Sequence, residues 1–214
     1  MNIFELYHAM TLKKKLFLKE VPSAFIRTKT IFTHIPKAAG ISITSAIYGH
    51  EVGHIPIKIY KKILGQDFDQ YFKFTFVRNP LTRIISAFYF LKRGGLNKMD
   101  YLWGRRYVSR YNDVNDFIKN YLTRDSIWSY IHFFPQYYFL TDDENNILVD
   151  FIGKVETLKK DIQVIEAILN RKLFIERKNA TKNKGKVSLK PSSIDKIYYI
   201  YHKDFEMFNY IPES

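Results

Sequence analysis

An α/β fold with a central, largely parallel sheet flanked by helices is predicted by two features of the sequence. Short runs of β-branched and aromatic residues alternate with stretches of helical periodicity, the pattern of strand–helix–strand crossovers. The chain of 214 residues is also 46% apolar and 17% aromatic, with only 9 Gly and 7 Pro, so it can bury a sizeable core. Disordered and fibrous chains lack that composition.

The elements follow in order. Residues 1–30 read as a lead-in helix or basic arm, with Lys13, Lys14, Lys15, Lys19 and Arg27 among apolar positions, and residues 31–214 as the main domain. No uninterrupted apolar run in this arm approaches the ~18 residues of a membrane span. The basic cluster follows an apolar start and no cleavage site is visible, so no signal peptide is expected. The arm reads first as a solvated helix face, and second as a peripheral contact with an anionic membrane surface.

Ile31 to Pro36 reads as a buried strand closed by proline, and Ser42 to Tyr48 as a helix start. Tyr71 to Val77 is a second strand, β-favouring throughout except for its lysine. Asn79 followed by Pro80 caps a helix whose apolar positions Leu81, Ile84, Ile85, Phe88 and Leu91 run to Arg93, where Gly94-Gly95 stops it. Asp113 caps a short helix with Val114, Phe117, Ile118 and Tyr121 on its apolar face. Phe151 to Val155 is a third strand, and Leu158, Ile162, Ile165 and Leu169 mark an amphipathic helix. Ser192, with Asp195 three residues on, caps a last helix whose stripe is Ile194, Ile197, Tyr198, Tyr201, Phe205 and Phe208.

Charge narrows the partner. Lys plus Arg number 34 against 21 Asp plus Glu, a net charge of +13, so the partner is expected to be anionic. There are no cysteines, which excludes disulfides, zinc–thiolate sites and thiol nucleophiles and fits a reducing, cytoplasmic setting.

Two strand–loop–helix units carry the anion chemistry. In HIPKAAGIS (34–42), small residues at Ala38, Ala39 and Gly40 let backbone N–H groups approach an oxyanion, and the next helix aims its positive end at the same spot. Lys37 adds a full charge, and Ser42 and Thr44 offer hydroxyls. The lysine precedes the single glycine, so this is not a Walker A loop and a P-loop kinase is disfavoured. In FTFVRNPLTRIISAFYF (74–90), Arg78 stands at the strand exit, suited to bidentate grip of phosphate, and Ser86 lies two turns into the helix on the side of Thr82 or Arg83.

Together these segments resemble the paired 5′ and 3′ phosphosulfate-binding motifs of the sulfotransferase superfamily. The closest likeness is the carbohydrate branch that includes heparan sulfate 2-O-sulfotransferases. Phe134-Pro135-Gln136, the run from Leu148 to Glu156 and Tyr201-His202-Lys203-Asp204-Phe205 resemble later landmarks of that branch. The resemblance implies a P-loop-NTPase-like sulfotransferase fold and transfer of a sulfuryl group from 3′-phosphoadenosine 5′-phosphosulfate (PAPS) to a hydroxyl of a carbohydrate or glycan. It implies Lys37, Ala38, Ala39, Gly40, Ile41 and Ser42 for the 5′ site and Arg78 and Ser86 for the 3′ site. Many relatives carry Thr where this chain has Ile41, so one hydroxyl is missing there. The basic tract from Arg171 to Lys190 resembles a loop that in relatives approaches the donor's nucleotide or closes over the site, which implies Lys182, Lys184 and Gly185 as its candidates; it reads equally as a mobile solvated loop.

Sulfuryl transfer to a hydroxyl needs a base and a cation at the departing bridging oxygen. Lys37 suits the second role. The transferred group carries a single negative charge and no carboxylate cluster is visible, so no metal is expected. Of the histidines, His50 and His54 fall between the two motifs, where the 2-O-sulfotransferases carry their catalytic histidine. His54 is the first candidate, His50 the second and His132 the third, while His34 reads as a core or supporting residue. Lys92, Arg93, Arg105, Arg106 and Arg110, interleaved with Tyr101, Trp103 and Tyr107, form a region suited to a sugar or an acidic glycan, and the aromatics are equally suited to core packing. The alternatives are a nucleotide-dependent small-molecule kinase and a nucleic-acid-binding module, though no recognised nucleic-acid motif appears.

Overall fold

The computed structural model describes residues 20–175 and 187–212. In chain order, α1 (Ser23–Thr28), β1 (Thr30–Phe32), α2 (Gly40–Tyr48) and α3 (Ile57–Leu64) lead to β2 (Phe72–Val77). The helices α4 (Pro80–Lys92), α5 (Lys98–Tyr107), α6 (Val114–Asn120) and α7 (Tyr137–Leu140) follow. Then come β3 (Phe151–Lys154), α8 (Leu158–Leu169) and α9 (Pro191–Met207). These elements form two compact units: a sheet unit of residues 20–78 and 136–175, and a helical unit of residues 79–135 and 187–212.

The sheet unit holds three parallel strands in the order β1-β2-β3. The register sets Phe32 beside Phe74 and Phe74 beside Phe151. With β2 central and covered on both faces, Phe74, Phe76 and Val77 have no exposed surface, and Phe74 and Phe76 pack with Phe25, Ile31, Ile43, Ile57 and Ile165. Burying each such side chain contributes about 1.5–3 kcal/mol. Lys73, the one non-β-favouring residue of β2, is accommodated because its ammonium donates to Tyr71 O (2.9 Å) and pairs with Asp150 Oδ2 (3.1 Å). An α/β architecture with a parallel sheet is what the alternating pattern predicts.

β1 is shorter than the apolar run from Ile31 to Pro36. The ladder ends where Thr33 N–H donates to Phe74 O (3.0 Å), and beyond it the hydroxyl of Thr75, rather than a backbone group, donates to Thr33 O (2.7 Å). The chain is thereby free to leave the sheet at His34 and turn into the loop that precedes α2.

The helical unit packs α4, α6 and α9 around Phe88, Phe117, Ile118, Ile197 and Phe205. The Asn79 side chain accepts Leu81 N–H (2.9 Å) with Pro80 at the first helical position, as the Asn-Pro pair predicts. The capping expectation at Ser192 fails. Pro191 occupies the first position of α9 with Lys190 as a cap that makes no side-chain bond, so Ser192 lies inside the helix. The expected stripe also turns: Tyr201 leaves helical geometry (φ −108°, ψ 21°), and Ile200 is buried while Tyr198 is 40% exposed. Trp103 is fully buried against Tyr130 and Phe133, and Lys92 donates to the carbonyls of Tyr111 and Asn112. Those two residues therefore serve the core and a loop rather than a sugar-binding face. Among the described residues no helix is long and apolar enough to cross a membrane.

Candidate active site

The loop between β1 and α2 is built from consecutive turn residues whose backbone departs from ordinary geometry. Lys37 (φ 68°) and Ala39 (φ 62°, ψ 10°) are both left-handed, although neither is glycine. Such a residue costs roughly 1–2 kcal/mol. Alternating left- and right-handed residues turn successive N–H groups to one side and make a concavity for an anion. Ala38 N–H is used in a turn to Ile35 O (3.4 Å), and the first helical bond runs from Ile43 N–H to Ala39 O (3.2 Å). The N–H groups of Gly40, Ile41 and Ser42 thus belong to a first turn without intrahelical acceptors. Ala39, as N-cap, supplies no side-chain acceptor in their place. The positive end of α2 adds to the field at this point.

Gly40 is required here for space. A Cβ at this position would lie 1.9 Å from His34 Cδ2 and 2.1 Å from its Nε2. His34 is 3% exposed, so its ring lies beneath the loop, against the first residue of α2.

Arg78 stands where β2 ends, and the chain that leaves β1 four residues earlier in the register runs up to it. Its Nη1 donates to Lys37 O at 3.4 Å, so the two loops identified in the sequence meet at the C-terminal edge of the sheet. The backbone of Arg78 is held by the amide of Gln136, which is fully buried: Arg78 N–H donates to Gln136 Oε1 (2.9 Å) and Gln136 Nε2 donates to Arg78 O (2.8 Å). No short-range signal gives Gln136 this role. It follows a proline in a distant segment, and only the tripeptide Phe134-Pro135-Gln136 marked the place.

The histidines separate by environment. His54 is half-buried, its Nδ1–H donates to the carbonyl of His34 (2.8 Å), and its ring centroid is 4.1 Å from that of His34. A carbonyl only accepts, so in the neutral ring the proton is on Nδ1 and the lone pair is on Nε2. His50 is exposed, and its Nδ1–H donates to Tyr48 O (2.9 Å) at the end of its own helix. His132, in the helical unit, is 7% exposed and its Nε2 lies 3.2 Å from Asp100 Oδ1.

Asp100 is the centre of a buried network in the helical unit. It accepts from Tyr130 OH (2.7 Å), Leu96 N–H (3.0 Å) and Asn97 Nδ2 (2.9 Å) as well as His132. Burial favours its neutral form, but hydrogen bonding and charge from His132, with Leu96 and Tyr130, outweigh it and bring the pKa down to about 2. Arg83 is likewise structural. It is fully buried, donates to the carbonyls of His132 (3.3 Å) and Phe134 (2.7 Å), and burial lowers its pKa while Tyr201 and Asp204 oppose that. Ser86 is a half-buried residue of α4 in the same unit. Lys182, Lys184 and Gly185 lie outside the described residues, as does most of the basic arm.

The sheet unit thus joins Lys37 to Ser42, Arg78 and His54 in one neighbourhood, with His34 and Gln136 beneath them. None of the curated proteins and none of the solved structures compared matches the chain. A family model described as the sulfotransferase family matches residues 26–211. That match runs from α1 to the end of α9 and takes in both anion-facing loops, and on it the chain belongs to the sulfotransferase family.

Proposed function

We propose that the protein moves a sulfuryl group from PAPS to a hydroxyl of a carbohydrate acceptor. The supporting observation is the contact of Arg78 Nη1 with Lys37 O, because it joins the two anion-facing loops at the C-terminal edge of a parallel sheet. Ligands of open α/β sheets bind at that edge. The left-handed backbone at Lys37 and Ala39 fits a phosphosulfate, whose oxygens need several donors on one side.

In this reading the N–H groups and ammonium of Lys37 to Ser42 hold the 5′-phosphosulfate, and Arg78 holds the 3′-phosphate, a role that the likeness of its motif extends to Ser86. PAPS, when bound, supplies the sulfuryl group. Lys37 opposes the charge that develops on the bridging oxygen as the bond from that oxygen to sulfur breaks. His54 Nε2 takes the proton of the acceptor hydroxyl as the new oxygen–sulfur bond forms, and later releases it to water. The Nδ1–H bond to His34 O holds the ring in the tautomer this requires. The carbohydrate acceptor rests on the likeness of both motifs to the carbohydrate branch.

The test is transfer of labelled sulfate from PAPS to a panel of glycans, lipids and small alcohols. Glycan labelling is expected, and His54→Ala should lower kcat by about 10²- to 10⁴-fold while the desulfated nucleotide PAP still binds. Near-normal turnover in that variant removes His54 from the role. Labelling confined to lipids or small alcohols removes the carbohydrate.

A further inference from the structure

We propose that His34 is a positioning residue whose imidazole sets the start of α2 and the ring of His54 together, so that anion cradle and base keep one alignment. This rests on the sulfotransferase reading of the site and goes beyond it, since His34 reaches neither donor nor acceptor in that scheme.

Four contacts define the role. On one side the His34 ring occupies the volume a Cβ of residue 40 would take, with Cδ2, Nε2 and Cγ at 1.9, 2.1 and 2.7 Å from that position. On another side its centroid is 4.1 Å from that of His54, the planes inclined by 53°. Its own carbonyl takes the Nδ1–H of His54 at 2.8 Å. Phe32 backs the ring at a centroid distance of 6.0 Å. The ring is therefore held between the first residue of the cradle helix and the base, and close-packed contacts transmit displacement instead of absorbing it. Shrinking the side chain leaves space on both sides. Gly40 can then settle toward the sheet, and the His54 ring loses the surface it packs against.

A misplacement near 1 Å at a reacting group costs on the order of 10²-fold in rate. His34→Ala is accordingly expected to lower kcat by about that factor. His34→Asn, which keeps a planar polar group on the same Cβ, should recover part of the loss. A double-mutant cycle separates positioning from general destabilisation. In the His54→Ala background, where the base is already gone, His34→Ala should cost less than about twofold more. The steric half is read by melting temperature and PAP affinity. Gly40→Ala alone should lower both, and combining it with His34→Ala should restore both to at least the level of His34→Ala alone.

Full kcat in His34→Ala overturns the proposal, as does an equal loss from that substitution whether or not His54 is present. Failure of the wild-type chain to bind PAP or transfer sulfuryl overturns the functional reading instead, and the rescue of Gly40→Ala stability by His34→Ala still reports the steric contact on its own.

Discussion

Arg78 shows what a single residue contributes and how far its role could be read in advance. Arg at a strand exit ahead of Asn-Pro is visible in the sequence, and so is the proximity of its motif to a lysine loop. Its orientation is not, because that depends on Gln136, whose two hydrogen bonds arise only when separate segments fold together. Arg78→Ala should weaken PAP binding by about 10- to 100-fold, the value of a charge-assisted pair of 1.5–3 kcal/mol. Isothermal titration checks it, and an unchanged dissociation constant would take Arg78 out of the 3′-phosphate site. The His34–Gly40 contact was hidden for the same reason. A histidine in an apolar strand and a glycine in a small-residue loop each have an ordinary explanation until the structure sets them against each other.

At the level of elements, legibility follows how local the determinants are. The start and stop of α4 were plain because Asn79, Pro80 and the Gly94-Gly95 pair act within a turn of themselves. α5 was missed, although Asn97 followed three residues later by Asp100 is a local capping signal. The glycine at its centre and the paired arginines after it obscure the helical pattern. Gly104 is there because a Cβ would lie 2.3 Å from Leu91 O, so α4 and α5 approach by backbone. The Asn97 side chain accepts the N–H groups of Met99 and Asp100, both at 2.9 Å. Asn97→Ala should therefore cost about 1 kcal/mol, read as a lower urea midpoint at constant slope. For α9 the local reading failed because Pro191 fixes the first turn and the bend at Tyr201 re-aims the second half.

For the whole molecule, stability against acid belongs to the network around Asp100. A carboxyl whose pKa drops to about 2 on folding contributes stability that is complete above pH ~4 and lost as pH falls through the folded value. The contribution is about 2 kcal/mol. Denaturant titrations between pH 6 and pH 2 should show the wild type losing this increment, and Asp100→Asn should show a correspondingly flatter profile. The chain's path between its two units has a separate consequence. It leaves the sheet unit at Arg78 and re-enters it at Gln136, and those same two residues are clasped by the paired amide bonds. The intervening excursion is thus a long loop tied at its neck by one side chain. Because closure entropy grows only with the logarithm of loop length, the knot costs little more for a long excursion than for a short one. The arginine's backbone is thus aimed by bonds made within the sheet unit, while α4 and α6 of the excursion answer to the core they share with α9.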